Sequence, residues 1–228
     1  MSDVSRVVIA IDGPAASGKS STSQWVAERL GFLHVDSGSL YRAVTAALLR
    51  QGAPPERWTS PVMMAQASHI TLRAEATSFS ALIDGAPAEE EIRGGLVTAH
   101  VSLVARVAEV RAWVNGTVRV AAQLHDVVVD GRDMGTAVFP DATLKIFLIA
   151  DPWERARRRL VQRLERAPTE EEIAAETDLL VQRDAKDATQ TVQAKDAVVL
   201  DTTYLTQPQQ VERIVALARA VSHRPHVT

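Results

Sequence analysis

The chain has 228 residues, 46% of them apolar and 23% charged, which bounds it to one large domain with a sizeable core. A formal net charge of -3 excludes a protein that holds nucleic acid by an overall positive field. There is no cysteine, which excludes disulfides and cysteine metal sites and fits a reducing cytoplasm.

Along the chain, "VVIAI" (7–11) reads as a strand buried on both faces. Lys19 to Leu30 follows as a helix, with Gly31 to stop it. "FLHVD" (32–36) is a second strand, and "SGSLYRAVTAALLRQG" a second helix ending at Gly52. "APPERWTSP" breaks the pattern and reads as a loop. Residues 71–85 alternate like a short antiparallel hairpin around a polar turn. Helical sequence runs from about 89 to 125. "VVVD" (127–130) and "LKIFLI" (144–149) are buried strands, 152 to about 188 is a long polar helical region, "AVVL" (197–200) is a fifth buried strand, and 207–223 is a closing helix. Strands alternating with helices imply an α/β fold, a five-stranded parallel sheet covered on both faces. Ligands should bind beyond the carboxyl ends of its strands. The hairpin and the 152–188 region read as insertions on that core.

The six histidines, at 34, 69, 100, 125, 223 and 226, show no helical ligand spacing, so no metal is assigned to them. "MSDVSR" is not a signal sequence, and no apolar run approaches the roughly 20 residues of a membrane span.

"GPAASGKSS" (13–21) fits G-x-x-x-x-G-K-[ST] between a strand and a helix, the context the motif needs. Its residues, Gly13, Pro14, Ala15, Ala16, Ser17, Gly18, Lys19, Ser20 and Ser21, form a candidate ATP phosphate cradle. The backbone N–H groups and the helix N-terminus face the anion. Lys19 is expected to reach the β- and γ-phosphates, and the Ser20 hydroxyl to ligate Mg²⁺. No guanine-reading N-K-x-D is present, and a nucleic-acid motor would be larger and more basic. A small-molecule kinase remains, and it needs an acceptor site.

Arg42, Arg132 and Arg183 fall at predicted strand ends or insertions, where arginine suits the charge of a phosphoryl transition state. In "WERARRRLVQRLER", Arg155, Arg158, Arg159, Arg163 and Arg166 share one helical face, with Trp153, Leu160 and Leu164 opposite. Five like charges on one face suggest a lid over an anion. There is no Ser-His-Asp set and no paired-carboxylate acid/base. A phosphate acceptor needs neither, because its second pKa of about 6 leaves it ionised at neutral pH.

These motifs, with "DSGSLYR", "EEIRGGLVTAHVSLVARVAEVR", "VVVDGRDMGTAVFPDATLKIFL", "QRDAKD" and "DAVVLDTT", resemble the bacterial cytidylate kinases nearly end to end. The resemblance implies a single P-loop kinase domain: a core of about 1–36, 103–150 and 185–228, a monophosphate-binding region of about 37–102 carrying the hairpin, and a helical lid of about 151–184. It implies transfer of the ATP γ-phosphoryl group to CMP or dCMP with Mg²⁺, by a monomer with no nucleic-acid or membrane partner. Lys19, Arg132, Arg159 and Arg183 are the implied catalytic residues. Ser37, Arg42, Arg132, Arg183 and Asp187 would hold the acceptor's phosphate and sugar. Ser102, Arg111 and Asp133 would read cytosine, and Arg155 and Arg159 would be lid residues on the ATP side. On sequence alone Ser102 reads as a helix contact.

A carboxylate at 133 suits the cytosine amine and disfavours uracil, whose O4 is an acceptor. Two stretches depart from the family pattern. Gln190 and "TVQ" stand where R-D-x-x-D-x-x-R-A-P-L ends, which puts an uncharged residue on the implied sugar and phosphate side. Ala16 replaces a glycine of the loop. Gln190 keeps open a kinase with a shifted acceptor such as UMP; a nucleotide-binding protein without transferase activity is a third reading, against which the full set of Lys19, Ser20, Arg42, Arg132 and Arg183 argues.

Overall fold

The structure, a computed structural model, describes residues 6–222; His223, His226 and the first five residues lie outside them. In chain order its elements are β1 (Val8–Asp12), α1 (Lys19–Leu30), β2 (Leu33–Asp36), α2 (Ser37–Arg50), α3 (Ser60–Ala67), β3 (Ile70–Ala74), β4 (Phe79–Ile83), β5 (Ala86–Pro87), α4 (Glu89–Ile92), α5 (Gly95–Val104), α6 (Ala108–Leu124), β6 (Val127–Gly131), β7 (Leu144–Ile149), α7 (Pro152–Leu164), α8 (Glu170–Asp187), β8 (Val198–Asp201) and α9 (Gln207–Ser222).

The five apolar runs form one parallel sheet in the order β2-β6-β1-β7-β8. β1 is central, and the chain leaves it to form β2 on the far side of β6. The crevice between the ends of β1 and β6 is therefore a switch point. Two apolar layers enclose the sheet. One packs Ala10, Val35 and Val129 against α2, α6 and the β3–β5 insert. The other packs Ile9, Ile11, Ile146 and Leu148 against α1 and α9. A third, small cluster joins Ala156 and Leu160 of α7 to Ile173 and Leu180 of α8, and sets both against Ala15.

Several sequence expectations need correction. The hairpin gains a third short strand, β5. The 55–57 stretch is a 3₁₀ turn rather than plain loop, and Ser60 starts α3. The helical region 89–125 is three helices, and 152–188 is two. α7 starts on an Asp151 cap with Pro152 in its first turn and ends at Glu165, whose φ is 54°. α8 starts on a capping box of Thr169 and Glu172. "AVVL" is not buried on both faces: Val198 and Val199 of β8 are 39% and 45% exposed, because β8 is a free sheet edge. β2 is also an edge, but the insert covers it, with the His34 N–H donating to the Thr77 carbonyl at 3.0 Å. Among the described residues no helix is long and apolar enough to cross a membrane.

Candidate active site

The carboxyl ends of β1, β2 and β6 open into one cleft of about 1580 Å³. Its floor is the 13–21 loop. Gly13 takes a φ of 151° and lies against β7, where a Cβ would overlap the Leu148 carbonyl oxygen. Gly18 is left-handed at the start of α1. Ala16 also holds a left-handed φ, 56°, a strained conformation for a residue with a Cβ. Ala15 through Ser21 line the cleft, whereas Gly13 and Pro14 do not.

Lys19 is buried, and its Nζ donates to the Pro14 carbonyl at 2.6 Å and to Ser17 Oγ at 3.4 Å. Burial, with Arg132 nearby, holds its pKa well below the usual lysine range. Ser20 Oγ donates to Asp130 Oδ2 at 2.8 Å, and the other Asp130 oxygen lies 2.6 Å from His34 Nε2. Burial pushes the His34 pKa down, but the bond to Asp130 outweighs it and raises the pKa. Two hard oxygen donors side by side on the phosphate floor fit Mg²⁺, which takes few protein ligands and completes its shell with phosphate and water. Ser21 Oγ donates to the Gly18 carbonyl at 3.1 Å, closing the helix start.

Above the floor the cleft is rich in cations. Arg132 and Arg183 face Asp187, with Nε atoms 3.6 and 3.8 Å from its Oδ2. Both Nε atoms are buried without a hydrogen-bond partner. Arg42 donates to the Ile92 carbonyl at 3.2 Å and to Thr98 Oγ1 at 3.0 Å. Burial, then Arg93 and Arg183, push its pKa down to about 10, and burial and Arg132 also lower Arg183. Guanidiniums that repel one another and keep orphan N–H groups suit an incoming polyanion. Ser37 also lines this part, its Oγ donating to the Asp130 carbonyl at 2.7 Å.

At the far end Arg111, on α6, pairs with Asp133, which follows β6. Ser102, on α5, lines the same end. Tyr41 lies beneath Arg111, with the guanidinium centre 6.0 Å from the ring centroid, and its buried hydroxyl has no partner. Gln190, expected on the sugar and phosphate side, accepts a hydrogen bond here from Arg111 Nη1 at 3.2 Å.

The arginine face of the third region is not an array of free cations. Arg155 is buried and does not line the cleft. Its Nη1 donates to the Ala15 carbonyl and to Asp184 Oδ2, both at 2.7 Å, while Asp184 Oδ1 accepts from the Ala15 N–H at 3.0 Å. It braces the phosphate loop from behind. Arg158 caps the Thr202 and Thr203 carbonyls. Arg159 lines the cleft and meets Glu176 at 3.1 Å, an acid that Arg163 shares at 3.3 Å. Arg166 lies past the end of α7 and pairs with Glu172. Acids from α8 relieve the repulsion that the sequence of α7 alone suggests. Trp153 is exposed, unlike the buried Leu160 on its expected face.

Sequence reasoning missed Asp12, Asp130, His34 and Arg93. An acid ending a buried strand beside a phosphate loop, as in "VVVD" and "AID", was the available signal for the first two. Asp12 accepts from the Met134 and Gly135 N–H groups at 2.8 and 2.7 Å, and burial raises its pKa to about 6 against those bonds. Arg93 donates to Asp36 at 2.8 Å. Burial pushes the Asp36 carboxyl up, but Arg93 and His34 outweigh it and hold it below the usual range. No sequence period announces either pairing. Among the described residues no cluster of three or more His, Cys, Asp or Glu could hold a metal.

A family model described as cytidylate kinase matches residues 9–220. The cytidylate kinase of Limosilactobacillus fermentum is 39% identical over 216 residues, which cover 92% of this chain and 95% of the relative. That of Alkaliphilus oremlandii is 39% identical over 219 residues, covering 94% and 99%. The chain is also similar to the solved structure of a shikimate kinase from Bacteroides thetaiotaomicron, at 16% identity and a TM-score of 0.46, covering 96% of this chain and 99% of that one. With the family model spanning nearly every described residue, the chain belongs to the cytidylate kinase family, P-loop nucleotide kinases that phosphorylate CMP or dCMP with ATP.

Proposed function

We propose that ATP lies along the 13–21 loop with its γ-phosphate under Arg132, Arg159 and Arg183, and that CMP or dCMP enters from the Arg111 end. The observation that carries this reading is the pair of buried, unpartnered Nε–H groups on Arg132 and Arg183 beside Asp187. An acceptor phosphate lying against them would satisfy both. One of its oxygens then attacks the γ-phosphorus, the bond from that phosphorus to the β-phosphate oxygen breaks, and ADP leaves. The acceptor oxygen is already ionised, so no side chain takes a proton.

Lys19 and the arginines compensate charge that spreads over the equatorial oxygens. Arg42 and Ser37 orient the acceptor phosphate, and Asp187 accepts from a sugar hydroxyl. Asp133 accepts from the cytosine amine, while Arg111 and Ser102 serve its N3 and O2. Ser20 and Asp130 would hold Mg²⁺, which when bound would supply Lewis-acid charge to the transferring phosphate chain. This reading needs no residue from a second chain. The 37–102 and 151–184 regions close over the two nucleotides.

The test is ADP release from Mg-ATP with CMP, dCMP, UMP, AMP and shikimate in parallel. CMP and dCMP should lead. Turnover led by UMP would shift the acceptor assignment, and ATP binding without acceptor-dependent ADP release would remove the transferase role.

A further inference from the structure

Asp130, near the end of β6, is buried, so each of its carboxylate oxygens needs a partner inside the protein. Oδ2 accepts from Ser20 Oγ at 2.8 Å, and Oδ1 lies 2.6 Å from Nε2 of His34. A ring nitrogen set against an ionised carboxylate carries its hydrogen, so His34 donates. In the β2–β6 register His34 pairs with Val128, and Asp36 with Asp130. Residues two apart in a strand share a face. His34 and Asp130 therefore project on the side of Val128, where α1 packs and begins with Lys19 and Ser20. The His34 ring stands in the cleft wall and is almost wholly buried. Its backbone is pinned as well, because the His34 N–H donates to the Thr77 carbonyl of the insert at 3.0 Å.

We propose that His34 is a positioning residue for phosphoryl transfer, holding the Asp130 carboxylate in the orientation that keeps the Ser20 hydroxyl aimed for Mg²⁺. The proposal rests on the reading of Ser20 and Asp130 as the residues that would hold Mg²⁺. A hydroxyl has one hydrogen and two lone pairs. With its hydrogen committed to Asp130 Oδ2, Ser20 keeps its lone pairs for a cation on the phosphate floor. That direction is only as fixed as the carboxylate, whose terminal torsion is broad and roughly two-fold. His34 holds the oxygen that Ser20 does not. Without its N–H, Oδ1 is left a buried acceptor, and the carboxylate gains by turning toward another donor. The Ser20 hydroxyl then loses its fixed direction. Outer partners of this kind carry about 10- to 100-fold in metal affinity. His34 is also where the insert covers the edge of β2, so the insert and the phosphate floor meet at one residue.

The test is Mn²⁺ binding to the full chain in excess over ADP, read from the electron paramagnetic resonance signal of free Mn²⁺, with the Mn²⁺–ADP complex as reference. His34→Leu removes the donor and should weaken Mn²⁺ about tenfold. His34→Gln returns an N–H near the position of Nε2 and should stay within about threefold of the parent. The Mg²⁺ concentration for half-maximal turnover should rise by the same factor in His34→Leu, with KM for CMP at saturating Mg²⁺ unmoved. Thermal midpoints without metal or nucleotide check the fold. If His34→Leu does not fold, His34→Asn, whose amide is too short to reach Asp130, takes its place with the same expectation. Unchanged Mn²⁺ affinity in the donor-less variant overturns the proposal, and so does an equal loss in His34→Gln. Ser20→Ala separates the two levels. If it leaves Mn²⁺ affinity unchanged, the metal assignment falls and the proposal with it; if it weakens Mn²⁺ while His34→Leu does not, the proposal alone falls.

Discussion

Asp12 and Ala16 show how much of the phosphate loop is held by single residues under strain. The Asp12 carboxylate anchors the Met134–Val138 turn, which follows directly on Arg132 and Asp133, yet burial raises its pKa from 3.8 to about 6. A carboxyl with a raised folded pKa stabilises the fold fully below its unfolded pKa and loses that contribution as pH rises through the folded value. The relevant window is therefore about pH 4 to 6. Asp12→Asn, which imitates the protonated acid, should gain stability relative to the parent by about 2 kcal/mol between pH 4 and pH 7. Urea melts at the two pH values measure it, and a constant difference would place the titration elsewhere. Ala16 holds a left-handed φ with a Cβ in place. Ala16→Gly should raise stability by about 0.5 to 1 kcal/mol, the strain relieved less the added freedom of the unfolded chain; a lower thermal midpoint would contradict this.

At the scale of elements, α7 and α8 work as a pair against the loop. Arg155 of α7 and Asp184 of α8 meet behind Ala15 and hold both its backbone groups. The 3.6-residue period of α7 places Arg155 on a basic face, and that much is legible in "WERARRRL". Which arginines of the face are struts and which line the cleft is not legible, because the partner acids stand on another helix. Asp184→Asn keeps an oxygen for the Ala15 N–H but leaves the Arg155 charge buried without its counter-ion. It should lower stability by about 3 kcal/mol and raise KM for ATP about tenfold through the loosened loop. Initial rates and thermal melts would check both, and a change confined to KM for the acceptor would show that the pair serves the other site. The sheet makes the same point. The apolar runs of β1, β6 and β7 are buried on both faces as their composition predicts, but "AVVL" has equal hydrophobicity and lies at an open edge. Strand order decides that, and strand order is a long-range property.

For the whole molecule, the cleft gathers Lys19, Arg42, Arg93, Arg132 and Arg183 from a chain whose net charge is -3. The cleft also carries Asp36, Asp130, Asp133 and Asp187, but its arginines and lysine outnumber its acids, so the positive excess is local. Holding these cations together opposes folding, and an anionic nucleotide in the cleft relieves it. CMP at about a hundred times its dissociation constant should stabilise the fold by about 2.7 kcal/mol, roughly 5 to 10 °C in thermal midpoint for a chain of this size. UMP at the same concentration should give a smaller shift. Equal shifts for the two would mean that the arginines recognise the phosphate while the base end discriminates only during turnover.

The sequence by itself determined the class of fold, the phosphate loop and the arginines that gather in the cleft. Each of these is written in local periods and short spacings: buried runs of about five residues, G-x-x-x-x-G-K-S, and arginines beside strand ends. Tertiary structure alone decided the pairings: Ser20 and His34 with Asp130, Arg93 with Asp36, Arg155 with Asp184, Gln190 with Arg111. In each case the partners are 29 to 110 positions apart in the chain. No local period links groups at such separations, and only the order of strands and the docking of α8 on the loop bring their charges within reach.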